Sequence, residues 1–318
     1  MQVRRLAVSG CAALAVLAVA VPSAQAQKRD RTPPSTPTNL RVVSTTEDSV
    51  TVAWDASTDN SGRIHAYVVG GVYHSGTSTT KTITHLVPNW TIQVHAYAID
   101  PSGNESGVAG PISATTKPDT TPPTAPTNLR VTGTTESTVS LAWDKATDRW
   151  SFSYQILMDG EVIGTTTGVT FGPLTFKVRH VEPGSTHRFA VRARDHSGGN
   201  IGPESNAVDA TTVASDDRTP PSAPTNLTAF QPDDDWCGTN ILDWDPSTDE
   251  TDPQSAIEYE VYLGGSLFHV TQPGVSHAGL YTFAGTNTWT VVAVDRAGNS
   301  SPPSNAATLT VRVDTNLC

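Results

Sequence analysis

Residues Thr121-Pro122-Pro123-Thr124-Ala125-Pro126-Thr127-Asn128-Leu129 lead into Val139-Ser140-Leu141-Ala142-Trp143-Asp144, and this stretch decides the fold. Val139, Leu141 and Trp143 alternate with small or polar residues. A hydrophobic period of two describes a strand with one face buried and the other wet. The paired prolines cannot donate to a sheet ladder, so they suit the start of an edge strand, where they also discourage unwanted pairing.

The same stretch occurs twice more. Thr32-Pro33-Pro34 leads to Pro37-Thr38-Asn39-Leu40, and Thr219-Pro220-Pro221 leads to Pro224-Thr225-Asn226-Leu227. The Trp-Asp step recurs as Trp54-Asp55 and Trp244-Asp245. It follows the first Thr by 22 residues in the first two copies and by 25 in the third. Each copy closes on an Asp–Gly–Asn turn: Asp100 to Asn104, Asp195 to Asn200 and Asp295 to Asn299. The repeats of 89 and 98 residues are too long for a small solenoid unit and suit a domain each. Turn dipeptides at Gly70-Gly71, Asp159-Gly160 and Gly264-Gly265 mark a hairpin in the middle of each copy. Sustained helical periodicity is lacking, so the expected fold class is all-β: three tandem immunoglobulin-like sandwiches. Their spans are 32–117, 121–213 and 219–318. Short linkers ending in Pro-Pro predict a semi-rigid string of beads.

Composition narrows the function. Of 318 residues only 16% are charged, and the formal net charge is −11, which argues against a nucleic-acid partner. The charge is uneven: residues 214–318 hold 14 acidic and 3 basic residues, whereas residues 119–213 hold 10 and 8. Residues 1–26 read as a cleaved signal peptide, with Arg4 and Arg5, an apolar run from Ala12 to Val21, and Ala24-Gln25-Ala26 as the cleavage site. The run is too short to span a bilayer comfortably. A lipobox reading fails because the apolar run follows Cys11, and Leu6-Ala7-Val8 fits a twin-arginine signal poorly. The mature chain would begin at Gln27, with a basic lead-in over 27–31, and be secreted without membrane insertion.

These landmarks resemble the fibronectin type III family, in particular modules of secreted bacterial and above all actinobacterial proteins. The carrying residues are the Pro-rich starts, the strand-B Trp (Trp54, Trp143, Trp244), the strand-C Tyr (Tyr67, Tyr154, Tyr259) and the Ala-x-Asp end of strand F (Ala98, Ala193, Ala293). The resemblance covers nearly all of residues 32–318. The family's strand-F tyrosine is missing, its positions holding Ile92, His187 and Asn287, so its corner hydrogen bond is absent from all three copies. By resemblance, such modules accompany chitin- and cellulose-degrading domains, which implies an accessory link to polysaccharide use.

Two cysteines remain in the mature chain, Cys237 and Cys318. Placed on this sandwich, the extra A–B segment and the end of strand G share one pole, so a Cys237–Cys318 disulfide is expected. Closing its loop would contribute about 4–5 kcal/mol on the chain-entropy model. The alternative is a Cys318 thiol that joins two molecules.

Catalytic signatures, metal-ligand spacings and cofactor motifs are absent, so no catalytic residue, metal or cofactor is expected. The acidic loops Asp233–Asp235 and Asp245, Asp249, Glu250 and Asp252 match no EF-hand and should lie at opposite poles. Two candidate surfaces remain. Trp150 and Phe152, in or beside the second B–C loop, could stack on sugar rings or anchor a protein. Arg188, Arg192 and Arg194 share the wet face of strand F and could hold an anionic polymer or the acidic third copy. The expected function is a secreted, non-catalytic binding or spacing protein at an extracellular polysaccharide or surface. A module binding a secreted or cell-surface protein is the alternative, and a glycoside hydrolase-associated activity a distant third.

Overall fold

The computed structural model describes residues 30–75, 78–167, 174–233, 235 and 237–313. The signal-peptide reading, Trp236 and Cys318 therefore fall outside the described residues. Along the chain run β1 (Thr38–Thr45), β2 (Val50–Asp55), β3 (Ala66–Val69), β4 (Val72–Ser75), β5 (Thr80–Ile83), β6 (Thr91–Ile99) and β7 (Ala109–Thr115). They form two antiparallel sheets, β1-β2-β5 and β4-β3-β6-β7. Copy two repeats the plan with β8 (Thr127–Thr134), β9 (Val139–Asp144), β10 (Phe152–Met158), β11 (Glu161–Thr167), β12 (Leu174–Val178), β13 (Thr186–Asp195), β14 (Ile201–Glu204) and β15 (Val208–Thr211). Its sheets are β12-β9-β8 and β11-β10-β13-β14, with β15 also on β13. Copy three has β16 (Thr225–Phe230), β17 (Thr239–Asp245), β18 (Glu258–Leu263), β19 (Ser266–Val270), β20 (His277–Tyr281), β21 (Gly285–Val294) and β22 (Ala307–Val311), in sheets β16-β17-β20 and β19-β18-β21-β22. Three strands packed on four, or on five in copy two where β14 and β15 both line β13, with every pairing antiparallel, form the expected sandwich.

Each sandwich has its own core, led by one tryptophan and one tyrosine. Trp54, Trp143 and Trp244 meet Tyr67, Tyr154 and Tyr259 edge to face at 5.1, 5.4 and 5.4 Å, the arrangement their ring quadrupoles prefer. Trp289 on β21 is also fully buried. The tyrosine hydroxyls are not idle. They accept the backbone N–H of Ser57, Ala146 and Ser247 at 2.9, 2.9 and 2.8 Å. Each ties a B–C loop to strand C, a buried anchor at the pole opposite the missing strand-F corner. At that corner His187 instead meets the Asp159 carboxylate at 2.6 Å, and Asn287 donates to Thr282 Oγ1 at 2.7 Å.

An Asp stands two residues before each Thr-Pro-Pro, and its Oδ1 accepts the N–H of Thr32, Thr121 or Thr219. Asp100, Asp195 and Asp295 accept backbone N–H groups of their own turns and the side-chain amide of Asn104, Asn200 or Asn299. Each amide also donates to the carbonyl of the preceding linker, at Asp30, Asp119 or Asp217. Turn, linker and first strand are thereby clamped at one pole of each module.

The chain divides into two compact units, one ending at Lys117 and one beginning at Pro118. The first unit is copy one, and the second holds copies two and three packed together. Within the second unit, copies two and three share an interface.

Candidate functional site

The aromatic pair expected at the second B–C loop is divided by the fold. Phe152 opens β10 with its side chain turned inward. It is 7% exposed and packs on Tyr154 with ring centroids 5.5 Å apart. Its place on the core side of the strand C alternation removes it from the candidate surface, which corrects the sequence expectation. Trp150 is half-buried, its indole Nε1 is shielded from solvent, and Arg149 lies over its ring at 5.4 Å. Asp148 fixes the loop by accepting the Trp150 N–H at 2.6 Å. One face of the ring is therefore already occupied by a cation.

The arginine row lies on the wet face of β13, as the alternation predicts. Two of its three charges have named local partners. Arg188 pairs with Asp209 at 3.6 Å, and Arg192 pairs with Glu204 at 3.7 Å and donates to Gln155 at 2.8 Å. The third copy docks elsewhere on the second. Lys177 on β12 and Arg179 beyond it both bind Glu258 of β18, Lys177 at 3.0 Å and Arg179 more closely. His180 Nε2 meets Glu260 Oε1 at 2.8 Å. Glu260 is 3% exposed and also accepts the Tyr262 hydroxyl at 2.7 Å. Ser137 donates to the Arg296 carbonyl at 2.8 Å. A cleft of about 370 Å³ runs along this seam.

Burial and partners set the protonation of the cluster. The hydrogen bond to Glu260 holds His180 above its ordinary value. Burial would raise Glu260, but the bonds from His180 and Tyr262 outweigh it and keep the carboxyl below the usual range. Burial and the bond to Glu260 push Tyr262 up to about 12. His180 is thus an interface residue.

The acidic loops part as expected. Asp249 and Asp252 gather with Asp217 at one pole of copy three, and Asp30, Asp59 and Asp100 gather at the matching pole of copy one. Donors from their own loops serve both groups: Asn60 and Ser61 in copy one, and Thr251, which bonds both Asp217 and Asp249, in copy three. Arg296 offsets Asp252 at 3.5 Å. Asp235, from the other acidic loop, accepts the N–H of Cys237 and Thr239.

Sequence reading missed a second surface. Phe230 (47% exposed), Tyr281 (71%) and Phe283 (93%) stand on or beside the outer face of the β16-β17-β20 sheet. The register places Phe230 opposite Ile241 and Ile241 opposite Gly279, two residues before Tyr281. Phe230, Ile241 and Tyr281 therefore share that face. Each ring is unremarkable alone in the sequence, and only the register assembles them.

No family model matches the chain. Curated relatives do. Exoglucanase B of Cellulomonas fimi is 32% identical over 297 residues, which are 89% of this chain and 26% of that protein. Chitinase A1 of Niallia circulans is 36% identical over 191 residues, 58% of this chain and 27% of that protein. The chain thus spans about a quarter of the relatives' length. Among solved structures, the FN1-FN3 domains of chicken CNTN1 align over 89% of this chain at 14% identity with a TM-score of 0.34. No described helix is long and apolar enough to cross a membrane. Repeated sandwich topology, the Trp–Tyr cores and the shared stretches with these bacterial relatives identify the chain as three tandem fibronectin type III modules.

Proposed function

We propose that the protein is a secreted, non-catalytic binding and spacing protein that acts on an insoluble polysaccharide. The exposed aromatic stripe Phe230, Tyr281 and Phe283 carries this reading. Monomeric proteins rarely leave clustered large apolar side chains in water without use. A pyranose ring offers a flat apolar face that stacks on an aromatic ring while its hydroxyls stay hydrated. The relatives support the ligand class, since they are named as an exoglucanase and a chitinase and match this chain over about a quarter of their length. Trp150, half-buried and already faced by Arg149, is the lesser platform.

A protein partner is the second reading, and one observation favours it. Tyr281 ends β20 at the position that Arg179 occupies relative to β12, and in copy two that pole holds the next module. We further propose that Cys237 pairs with Cys318. The β-bridge between Cys237 and Val313 brings the A–B segment beside the end of strand G, five residues from Cys318.

The test is co-sedimentation with crystalline cellulose and with chitin, comparing wild type with the Phe230→Ala/Tyr281→Ala/Phe283→Ala variant. The glycan reading expects wild type to be retained in high salt and the variant to be lost. Equal retention would reject the stripe as the site. Absent glycan retention, with capture of a secreted protein that the variant loses, would establish the second reading.

A further inference from the structure

The seam between modules 2 and 3 is keyed by residues that the other copies lack. Counting from the strand-C tyrosine, Glu258 and Glu260 flank Tyr259, whereas Ala66 and Val68 flank Tyr67 and Ser153 and Gln155 flank Tyr154. Counting from the E–F histidine, Lys177 and Arg179 precede His180, whereas Thr82 and Thr84 precede His85. Among the three copies, the paired bases occur only in copy two and the paired acids only in copy three. In copy one the positions beside the tyrosine hold the buried Ala66 and the half-buried Val68, so the fold there needs no carboxylate. Their charges are therefore explained by the contact they make.

We propose that modules 2 and 3 form one rigid spacer held by a charge-keyed joint, and that the His180–Glu260 pair makes its stiffness depend on pH. Two bases on one short strand end would repel each other, and Glu258 between them offsets both. Glu260 is buried, so deprotonation of His180 takes away the cation that offsets the carboxylate in low dielectric, even where the neutral ring keeps its Nε2–H donor. Ser137 and the Arg296 carbonyl fix the angle at the opposite side of the seam. Gly298 there allows close approach, since a Cβ would lie 2.7 Å from the Ser137 Cβ.

His180 faces Glu260 and Glu258 from β18, with Arg179 and Lys177 beside it on its own side. Asp295 and Arg296 line the seam from the turn after β21, and Glu136 from the β8–β9 turn. Glu182 and Arg218 pair at 3.4 Å behind it. Of this set, His180 is the group whose ordinary range lies near neutrality. Held above that range by Glu260, it keeps the joint charged below its ordinary value, and the joint loosens as pH rises through the raised one.

The test is time-resolved energy transfer in the full chain between dyes on unnatural residues at Thr165 and Thr308, both exposed. At about pH 6, where the imidazole carries its proton, wild type should show one narrow distance population. Glu258→Gln/Glu260→Gln should lose it for a broad distribution while circular dichroism stays native. Lys177→Gln/Arg179→Gln/His180→Gln changes the other side of the seam and should do the same, which guards against misfolding of the first variant. Arg179→Glu should broaden the distribution, and adding Glu258→Arg should narrow it again. Wild type should broaden between about pH 6 and pH 9 with a midpoint above the ordinary histidine range, and His180→Gln should not respond. Equal widths for wild type and both charge-removing variants would overturn the joint. A wild-type width unchanged across the pH range would overturn its pH dependence.

Discussion

Tyr154→Phe isolates one atom. The ring would remain fully buried, edge-on to Trp143 at 5.4 Å and to Phe152 at 5.5 Å, so the change leaves no cavity of consequence. It removes the oxygen that accepts the Ala146 N–H at 2.9 Å. Ala146 is 0% exposed, so water cannot replace the lost acceptor. An unsatisfied buried donor costs about 1–3 kcal/mol. For a cooperative unit of roughly 200 residues, each kcal/mol lowers Tm by about 2–4 °C. The unit from Pro118 onward should therefore melt about 2–12 °C lower. Calorimetry on the full chain reads this against the first unit, whose transition should not move. Amide exchange provides the local readout, since the Ala146 N–H should lose protection while amides within β13 keep theirs. A Tm shift below about 1 °C with Ala146 still protected would refute the claim that the hydroxyl anchors the loop.

Other outcomes follow from the turns and the glycines. Asp195 is opposed by burial but held below the usual carboxylate range by the amide of Asn200 and the N–H groups of Gly198, Asn200 and Gly199. Its contribution is present above the ordinary carboxylate value and is lost as pH falls through the depressed one. Asp195→Asn should therefore lower stability near neutrality and flatten the acid limb of the stability-versus-pH curve; an unchanged acid limb would count against the clamp. Gly202→Ala would place a Cβ 2.4 Å from the Pro123 carbonyl oxygen and should cost about 1–3 kcal/mol in denaturant melts. Gly133→Ala meets nothing within 4 Å and should be neutral or stabilise by up to about 1 kcal/mol. The reverse order of those two glycine variants would mean that the strand edges pack differently.

Repetition made the fold legible. A Trp at a fixed offset from Thr-Pro-Pro, a Tyr on the next strand and an Asp–Gly–Asn turn each encode a local contact, and three copies turn a weak pattern into a strong one. The site was legible only in part. Alternation placed Arg188, Arg192 and Arg194 outward but could not show that Asp209 and Glu204 stand opposite. Phe152 was misassigned because the end of a loop and the start of a strand look alike in sequence, and one residue of register decides which face a side chain takes. The charge asymmetry of copies two and three was visible, yet the contact surface was expected on strand F. The bases that dock lie at the end of β12, a position that only tertiary packing reveals. Phe230, Tyr281 and Phe283 are about fifty residues apart at the extremes and meet through strand pairing alone.

The central claim is that this array holds a polysaccharide without cutting it. The direct measurement incubates the protein with crystalline cellulose and with chitin in high salt, and reads protein in the pellet and reducing sugar in the supernatant together. The account predicts salt-resistant retention on at least one polymer and no sugar release above the blank. Sugar release, or absence of retention on both polymers, would contradict it.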